Sequence, residues 1–272
     1  MPHTPARYAV IGHPVARSCS PQIHAEFARL TGKAMQYTRI EAPLHGFATA
    51  LREFLASGGQ GANVTLPFKE EAFGLSHVLT PRAKLARAVN TLCVRADGTL
   101  LGDNTDGAGL VTDLKHNHQV ELDGARILLL GAGGAARGIL PALLEEKPAL
   151  VQIANRTPER ARKLAALRTQ ARIAGGGFEE LQGQTFDVII NATAASLAGE
   201  LPPLPADCLN PGALCYDLAY GERPTVFMHW AEQAGAALVL DGWGMLVEQA
   251  AESFYVWHGL RPPTATLLAL HP

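Results

Sequence analysis

The sequence of 272 residues lacks the cysteine and histidine spacings of disulfide-rich or zinc-binding proteins, and it lacks the long apolar run of a membrane-spanning helix. Its longest uncharged apolar run, residues 127–136, is too short to cross a bilayer, and the N-terminus lacks the apolar segment of a signal peptide. The 10 histidines show no metal-ligand spacing. The 4 cysteines are scattered, so we expect free thiols in a reducing cytoplasm and no bound metal; they are Cys19, Cys93, Cys208 and Cys215.

Charge is also scarce. Charged residues make up 18% of the chain and the formal net charge is −2, so general binding to nucleic acid or to anionic membranes is not expected. Hydrophobic residues make up 47%, which is typical of a globular protein with a substantial core. The length fits one large domain or two modest ones.

A glycine-rich stretch at residues 126–137 organises the chain. An apolar run predicts a buried strand, Gly131, Gly133 and Gly134 predict a tight turn, and residues 139–144 predict the following helix. Such a turn lets the backbone approach a pyrophosphate, and the helix N-terminus offers free N–H groups. Glycine turns also close strand–helix units that bind nothing. The candidate cofactor-binding residues here are Gly131, Ala132, Gly133, Gly134 and Ala135.

The next predicted strand, residues 150–154, ends where a dinucleotide fold reads the ribose, roughly 20 residues past the glycines. An acidic residue there would bind the 2′-hydroxyl of NAD, but Arg156 occupies the position. A guanidinium suits a 2′-phosphate, so we predict NADP(H). Arg162 and Lys163 fit a solvated helix face better. Further candidate cofactor-binding residues are Asn155, Arg156, Thr157, Arg160, Thr193 and Gly242.

Strands and helices alternate along the chain, which favours an α/β fold with mostly parallel sheets. Ser20 is predicted to cap a helix that begins at Pro21 and ends at Gly32. Residues 91–95 and 99–103 predict a hairpin around Gly98. Other predicted strands cover 8–12, 35–40, 61–66, 186–191, 213–218 and 237–240, and other predicted helices cover 47–55, 81–88, 108–116, 225–234 and 245–258.

Lys69 follows a predicted strand, and Asp106 lies in a second polar turn. If the two turns converge, Asp106 would hold Lys69 charged and aimed at a substrate oxygen, where a lysine can transfer a proton. By spacing alone, a surface lysine and a helix-capping aspartate are the default interpretation of the two residues.

Several motifs occur in one order along the chain. They are Asn63 with Pro67 and Lys69, Asn90-Thr91, Asp103-Asn-Thr-Asp-Gly107, Gly131-Ala-Gly-Gly134, Asn155-Arg-Thr157 and Asp241-Gly-Trp-Gly-Met-Leu-Val-Glu-Gln-Ala250. From about residue 8 to residue 262, the sequence resembles the shikimate dehydrogenase family, NADP-dependent enzymes of aromatic amino-acid (chorismate) biosynthesis.

The resemblance implies a catalytic pair, Lys69 and Asp106. It also implies substrate-binding residues for the hydroxyls and carboxylate of shikimate, namely Ser18, Ser20, Asn63, Thr65, Asn90, Tyr220 and Gln249. Simpler roles stay open for some of them, since Ser20 can cap its helix, Asn90 can end one, and Gln249 can be a polar residue among apolar neighbours. A polyol acid needs many neutral hydrogen-bonding groups, and this set supplies them.

Three departures from the family pattern involve four positions. Cys19 stands where a lysine is usual between the two serines, so Arg17 is the alternative source of positive charge. Ala194 and Ser196 replace a serine and a glycine after Asn191-Ala-Thr193, and Trp243 replaces a common leucine. We interpret Cys19 as a substitution and not a nucleophile, His13 and His24 as a loop and a helix-surface histidine, and Trp230, Trp257, Phe227 and Phe254 as packing residues.

We therefore expect a two-domain α/β protein. Residues 1–105 and 242–272 form the substrate domain, residues 106–241 form a doubly wound Rossmann NADP domain, and the last helices return to the first domain. The chemistry is expected in a cleft between them. The predicted function is reduction of 3-dehydroshikimate to shikimate by a cytoplasmic monomer or homodimer. Alternatives are a quinate- or shikimate-like paralogue with altered substrate or low turnover, or a non-catalytic NADP-binding sensor.

Overall fold

A computed structural model describes residues 5–167 and 172–271. Its strands are β1 (Ala6–Gly12), β2 (Met35–Glu41), β3 (Gly59–Val64), β4 (Val78–Leu79), β5 (Thr91–Val94), β6 (Leu100–Asp103), β7 (Arg126–Leu130), β8 (Leu150–Ala154), β9 (Ile173–Gly176), β10 (Phe186–Asn191), β11 (Leu209–Asp217) and β12 (Leu238–Leu240). Its helices are α1 (Ser20–Thr31), α2 (Phe47–Ala56), α3 (Lys69–Leu75), α4 (Pro81–Ala86), α5 (Asp106–Thr112), α6 (Gly134–Glu145), α7 (Pro158–Ala166), α8 (Val226–Gln233), α9 (Trp243–His258) and α10 (Ala265–Leu268).

The described chain divides into two compact units. The first contains the residues up to Leu110 together with Leu246–Leu270, and the second contains Val111–Met245 and His271. The chain passes from one unit to the other within α5 and again within α9. Beyond α5 it continues as a π-helical turn, Asp113–Asn117.

The sheet of the first unit has the strand order β2-β1-β3-β5-β6-β4 in the part of the chain that the structure describes. β1 pairs in parallel with both β2 and β3, whereas β5 is antiparallel to β3 and to β6. This sheet is therefore more mixed than the alternating pattern predicted, because a tight hairpin makes its own two strands antiparallel. The hairpin lies where it was predicted, with Gly98 at a φ of 78°.

One core cluster of this unit contains residues of helix α2 and of the central strands. Phe47 and Leu51 of α2 pack with Ile11 and Val64 of the central strands, and the Phe47 ring stacks on Phe68 at 5.1 Å between ring centroids. Phe68 directly precedes Lys69, so burial of its ring fixes the start of α3.

In the second unit, the described strands form a sheet with the order β12-β11-β10-β7-β8-β9, and each neighbouring pair of strands is parallel. Counted along the chain from β7, this is the order 3-2-1-4-5-6 of a Rossmann fold. The strand order reverses between β7 and β10, which is where such folds bind dinucleotides. Residues 127–130 of β7 are fully buried, as expected for a central parallel strand.

Four short elements were not predicted, namely α3, α10, β4 and β9. The prediction that Ser20 caps α1 is wrong: Cys19 is the N-cap residue, it makes no capping side-chain bond, and Ser20 is already helical. The predicted end at Gly32 is confirmed, since that glycine has a left-handed φ of 67°. Helix α5 starts at Asp106, earlier than predicted.

Candidate active site

Lys69 and Asp106 are in contact. Each is the first residue of a helix, α3 and α5 respectively, and Lys69 Nζ donates to Asp106 Oδ2 at 2.6 Å. The side chains are 14% and 4% exposed. The two turns therefore converge, and the lysine is a mostly buried cation held by a buried carboxylate, not a surface residue.

Asn90 fixes the other oxygen of that carboxylate. Its Nδ2 donates to Asp106 Oδ1 at 2.8 Å and to Gln249 Oε1 at 3.2 Å. Its Oδ1 accepts the backbone N–H of Thr105 at 2.8 Å, which sets the orientation of the amide. Gln249, on α9, donates to its own helix at Leu246 O (2.8 Å). Lys69, Asp106, Asn90 and Gln249 thus belong to one hydrogen-bonded set.

Asn63 joins this set from β3. Tyr37 Oη donates to Asn63 Oδ1 at 2.7 Å, and Asn63 Nδ2 lies 2.9 Å from Ser253 Oγ and 3.2 Å from Thr91 Oγ1. Sequence reasoning did not assign roles to Tyr37, Thr91 or Ser253. Thr91 belongs to the Asn90-Thr91 motif, and Ser253 follows Gln249 by one helical turn, so there was a sequence signal for both residues. There was none for Tyr37.

Ser18 and Ser20 lie together at the start of α1. Their hydroxyl oxygens are 3.1 Å apart, and the Ser20 N–H donates to Ser18 Oγ at 3.3 Å. The guanidinium of Arg39, rather than that of Arg17, binds this segment through the Ser18 carbonyl at 2.6 and 2.9 Å. Thr65 packs its methyl group on Gly12, where an added Cβ would lie 2.2 Å from Thr65 Cγ2.

A chain of ion pairs lies beside the set. Arg82 binds both oxygens of Asp103, with Nε at 2.7 Å and Nη2 at 2.5 Å, and its Nη1 binds Glu252 at 2.8 Å. Arg261 then bridges Glu252 and Glu248 at 2.6 and 2.7 Å. These contacts connect β6 and α4 to α9, the helix that carries Gln249. Burial raises the pKa of Asp103, but the hydrogen bonds and charge of Arg82 outweigh it and lower that pKa overall.

The interpretation of His24 as a surface histidine is wrong. Its side chain is fully buried, and the ring stacks on Tyr37 at 4.3 Å and lies 5.1 Å from the Trp257 ring. Burial lowers the pKa of His24 to about 3, against a raising contribution from Asn63, so the ring is neutral. His13 is a loop residue as predicted, with Nδ1 3.1 Å from Glu41.

In the second unit, the glycine-rich turn forms as predicted. Gly131 has a φ of 105°, and a Cβ there would lie 3.0 Å from Ala192 O, so only glycine fits. Gly133 is the N-cap residue of α6, and a Cβ on it would meet no atom within 4 Å. Free space in front of a helix N-terminus fits the pyrophosphate of a dinucleotide.

Arg156 and Arg160 are exposed, and within the described residues their side chains make no ion pair. Arg162 differs, since it binds Glu180 at 2.6 Å. Two exposed guanidiniums beyond the second strand of a Rossmann sheet are suited to a 2′-phosphate. Asn155 Nδ2 donates to Thr157 O at 2.9 Å, which shapes the turn that carries Arg156.

Thr193 follows β10, next to the glycine turn, and its Oγ1 donates to Asn191 Oδ1 at 2.7 Å. Gly242 approaches the backbone closely, because a Cβ there would lie 2.2 Å from Leu218 O. Tyr220 also belongs to the second unit, with its ring 6.2 Å from that of Trp243, which is buried. Ala194 is exposed.

An open groove of about 900 Å³ lies elsewhere in the first unit, and Arg7, Ile40, Leu44 and Phe54 are among its lining residues. It contains none of the candidate site residues. Among residues 5–167 and 172–271, no three His, Cys, Asp or Glu side chains are grouped to hold a metal ion. None of the helices in those ranges combines the length and apolar character needed to cross a membrane.

Comparison with known proteins agrees with this geometry. Residues 10–92 match the family model described as "Shikimate dehydrogenase substrate binding domain", residues 113–198 match "Shikimate / quinate 5-dehydrogenase", and residues 242–269 match "Shikimate 5'-dehydrogenase C-terminal domain". The chain is 57% identical over 264 residues to the NADP(+) shikimate dehydrogenase of Alkalilimnicola ehrlichii, covering 97% of each chain.

Solved structures are similar over nearly the whole chain. An Ael1 enzyme from Pseudomonas putida has a TM-score of 0.89 at 44% identity, covering 98% of each chain. Shikimate 5-dehydrogenase from Thermus thermophilus, in complex with NADP(H) and shikimate, has a TM-score of 0.84 at 34% identity, covering 96% of this chain and 97% of that one. The fold, the motifs and these matches together show that the chain belongs to the shikimate dehydrogenase family.

Proposed function

We propose that this chain catalyses the reversible, NADPH-dependent reduction of 3-dehydroshikimate to shikimate. The observation that carries the proposal is the buried Lys69–Asp106 pair, which Asn90 joins to Gln249. The similarity to NADP(+) shikimate dehydrogenases, at 57% identity over 97% of both chains, supports the same activity and cofactor.

NADPH, when bound, supplies the hydride that adds to the carbon of the 3-keto group. The carbonyl oxygen gains negative charge as this happens, and the Lys69 ammonium stabilises it and donates a proton, so the product is an alcohol. Asp106 holds Lys69 charged and aimed, because one carboxylate oxygen binds Nζ and the other is held by Asn90. In the oxidation of shikimate, Lys69 takes the proton back.

The substrate's hydroxyl and carboxylate groups are bound by side chains whose orientation is fixed in advance. Asn63 and Asn90 have their amides set by neighbouring hydrogen bonds, and the two serine hydroxyls lie 3.1 Å apart. A site built from such groups rejects analogues that leave them unpaired. The proposed substrate-binding residues are Ser18, Ser20, Asn63, Thr65, Asn90, Tyr220 and Gln249.

The cofactor is bound by the second unit, at the point where its strand order reverses. Arg156 and Arg160 bind the 2′-phosphate, and the N-terminus of α6 binds the pyrophosphate. The proposed cofactor-binding residues are Gly131, Ala132, Gly133, Gly134, Ala135, Asn155, Arg156, Thr157, Arg160, Thr193 and Gly242. The first unit, with the segment from residue 242 onward, is the proposed substrate domain. The proposed setting is the cytoplasm, as a monomer or homodimer.

The test is a dehydrogenase assay on purified protein with shikimate or quinate, each with NADP⁺ or NAD⁺, followed by the absorbance of the reduced nicotinamide. Of the four pairs, we expect fast turnover only with shikimate and NADP⁺. A preference for quinate or NAD⁺ would favour the paralogue instead. No turnover in any pair, with NADPH still bound, would favour the sensor. The curated relatives support the shikimate dehydrogenase and neither alternative.

A further inference from the structure

Ser196, one of the departures from the family pattern, makes two side-chain contacts at the carboxyl end of β10. Its Oγ donates to Asp217 Oδ2 at 2.6 Å and accepts from Asn191 Nδ2 at 3.0 Å. A glycine at this position would make neither bond. The serine therefore adds side-chain hydrogen bonds at a position where the usual glycine offers only backbone.

Asp217 is the fixed end of this arrangement. It is fully buried at the end of β11, and its two oxygens accept from Ser196 Oγ and Thr225 Oγ1, both at 2.6 Å, and from the Ala219 N–H at 3.1 Å. Asn191 Nδ2 also lies 3.2 Å from Oδ1. A carboxylate with this many donors is held in one orientation, so it is a rigid attachment point.

Asn191 carries the attachment to the turn. Its Oδ1 accepts from Thr193 Oγ1 at 2.7 Å and from the Thr193 N–H at 3.2 Å, and Thr193 Oγ1 in turn accepts the Ala195 N–H at 3.2 Å. The segment 192–196 is thus held near both ends. Thr193 binds Asn191 near its start, and Ser196 binds Asp217 at its end.

The same segment touches the glycine turn. The Ala192 N–H donates to Leu130 O at 2.9 Å, and Gly131 faces Ala192 O so closely that a Cβ would lie at 3.0 Å. Movement of segment 192–196 would therefore disturb the turn that is proposed to bind the pyrophosphate. Both segments lie where the strand order reverses.

We propose that Ser196 is a positioning residue for the cofactor: by binding Asp217 and Asn191, it holds segment 192–196 and the adjoining glycine turn in the conformation that binds NADP(H). This inference rests on the proposed function. A turn that is already held in its bound conformation loses less conformational entropy on binding. Removing the Ser196 hydrogen bonds lowers the fraction of molecules in the binding-competent conformation and so weakens the apparent affinity.

The test is the dissociation constant for NADPH and for NADH, measured without substrate by nicotinamide fluorescence. For Ser196→Ala we expect both constants to rise by about 5- to 10-fold, by equal factors, because one hydrogen bond to a charged group is lost. Ser196→Thr keeps the hydroxyl and should restore binding. The assay with shikimate should show the change in the KM for NADP⁺ and little change in kcat.

Thr225→Val is the matched control. It removes an equally short bond to the same Asp217 oxygen, but from the N-cap of α8, where Thr225 Oγ1 also accepts the Met228 N–H at 3.2 Å. It should lower the melting temperature and leave NADPH binding unchanged, because Asp217 keeps its bonds to Ser196, Asn191 and the Ala219 N–H.

Three results would overturn the inference: unchanged binding in Ser196→Ala, equal weakening in Thr225→Val, or a loss confined to NADPH, which would indicate the 2′-phosphate instead. If the wild-type protein bound no NADPH, the proposed function itself would fail.

Discussion

Lys69 Nζ lies 2.6 Å from Asp106 Oδ2, and Asn90 Nδ2 lies 2.8 Å from the other oxygen of the same carboxylate. With both oxygens bound, Asp106 cannot rotate without breaking a hydrogen bond. Asn90, which is 16 positions from Asp106 in sequence, therefore sets the direction of the Lys69 ammonium by holding the Asp106 carboxylate between them.

Lys69→Ala should reduce kcat by about 10²–10⁴-fold, the usual contribution of a general acid. Far-ultraviolet circular dichroism and the melting temperature should show that the fold is intact. Lys84→Ala, at an exposed position of α4, is the control and should leave kcat unchanged. A reduction smaller than about tenfold in Lys69→Ala would mean that the lysine is not the proton donor.

Much of the fold could be predicted from local patterns. Strand β7 lies where the apolar run predicted it, and Gly32 ends α1 through its left-handed φ. Strand β9 was missed because Gly175 and Gly176 disfavour strands. Packing requires one of these glycines, since a Cβ at Gly175 would lie 2.4 Å from Ala161 O of α7.

The candidate site was predictable only in part. The motifs gave Lys69 and Asp106, but no local pattern links Asn63 to Ser253, which follows it by 190 residues and contacts it at 2.9 Å. The burial of His24 could have been predicted, because Ser20, Ile23, His24 and Phe27 share one face of α1 at helical spacing and all are buried. The polarity of an imidazole favours the surface, but this spacing outweighs it.

Arg156→Ala should weaken NADP⁺ selectively. Loss of a charge-assisted bond to the 2′-phosphate should raise the KM for NADP⁺ by about 10- to 100-fold, with little change for NAD⁺, which lacks that group. Steady-state kinetics with both cofactors measure the ratio. Arg162→Ala is the matched control, because Arg162 is on the neighbouring helix and already binds Glu180. Equal losses for both cofactors in Arg156→Ala would remove the 2′-phosphate assignment.

Arg82→Met should destabilise the protein. It leaves the buried Asp103 carboxylate without its bidentate partner, which should cost about 2–3 kcal/mol, less than for a fully buried pair because Arg82 is partly exposed. Urea denaturation at pH 7 measures the loss.

The loss should depend on pH in one direction. The folded-state pKa of Asp103 is below its ordinary value, so the stabilisation is present above that ordinary value and disappears as the pH falls through the folded-state pKa. The difference between wild type and Arg82→Met should therefore shrink in strong acid. Arg29→Met breaks an exposed pair with Glu26 and should leave the melting temperature unchanged. A difference that stayed constant down to strong acid would argue against the Asp103 pair as its source.

His24 should make the protein less stable below neutral pH. Its folded-state pKa is about 3 and an unfolded histidine titrates near 6.5, so between these values the unfolded chain binds more protons and stability falls as the pH falls. Between pH 7 and pH 5 this one group should lower the free energy of unfolding by about 2 kcal/mol.

His24→Phe keeps an aromatic ring beside Tyr37 and cannot be protonated. Over the same pH interval its free energy of unfolding, measured by urea denaturation, should therefore fall by about 2 kcal/mol less than that of the wild type. His45→Phe, at an exposed loop position, should keep the wild-type dependence. If wild type and His24→Phe lost equal stability between pH 7 and pH 5, His24 would have to be accessible to protons in the folded state, in contradiction with its full burial under Tyr37 and Trp257.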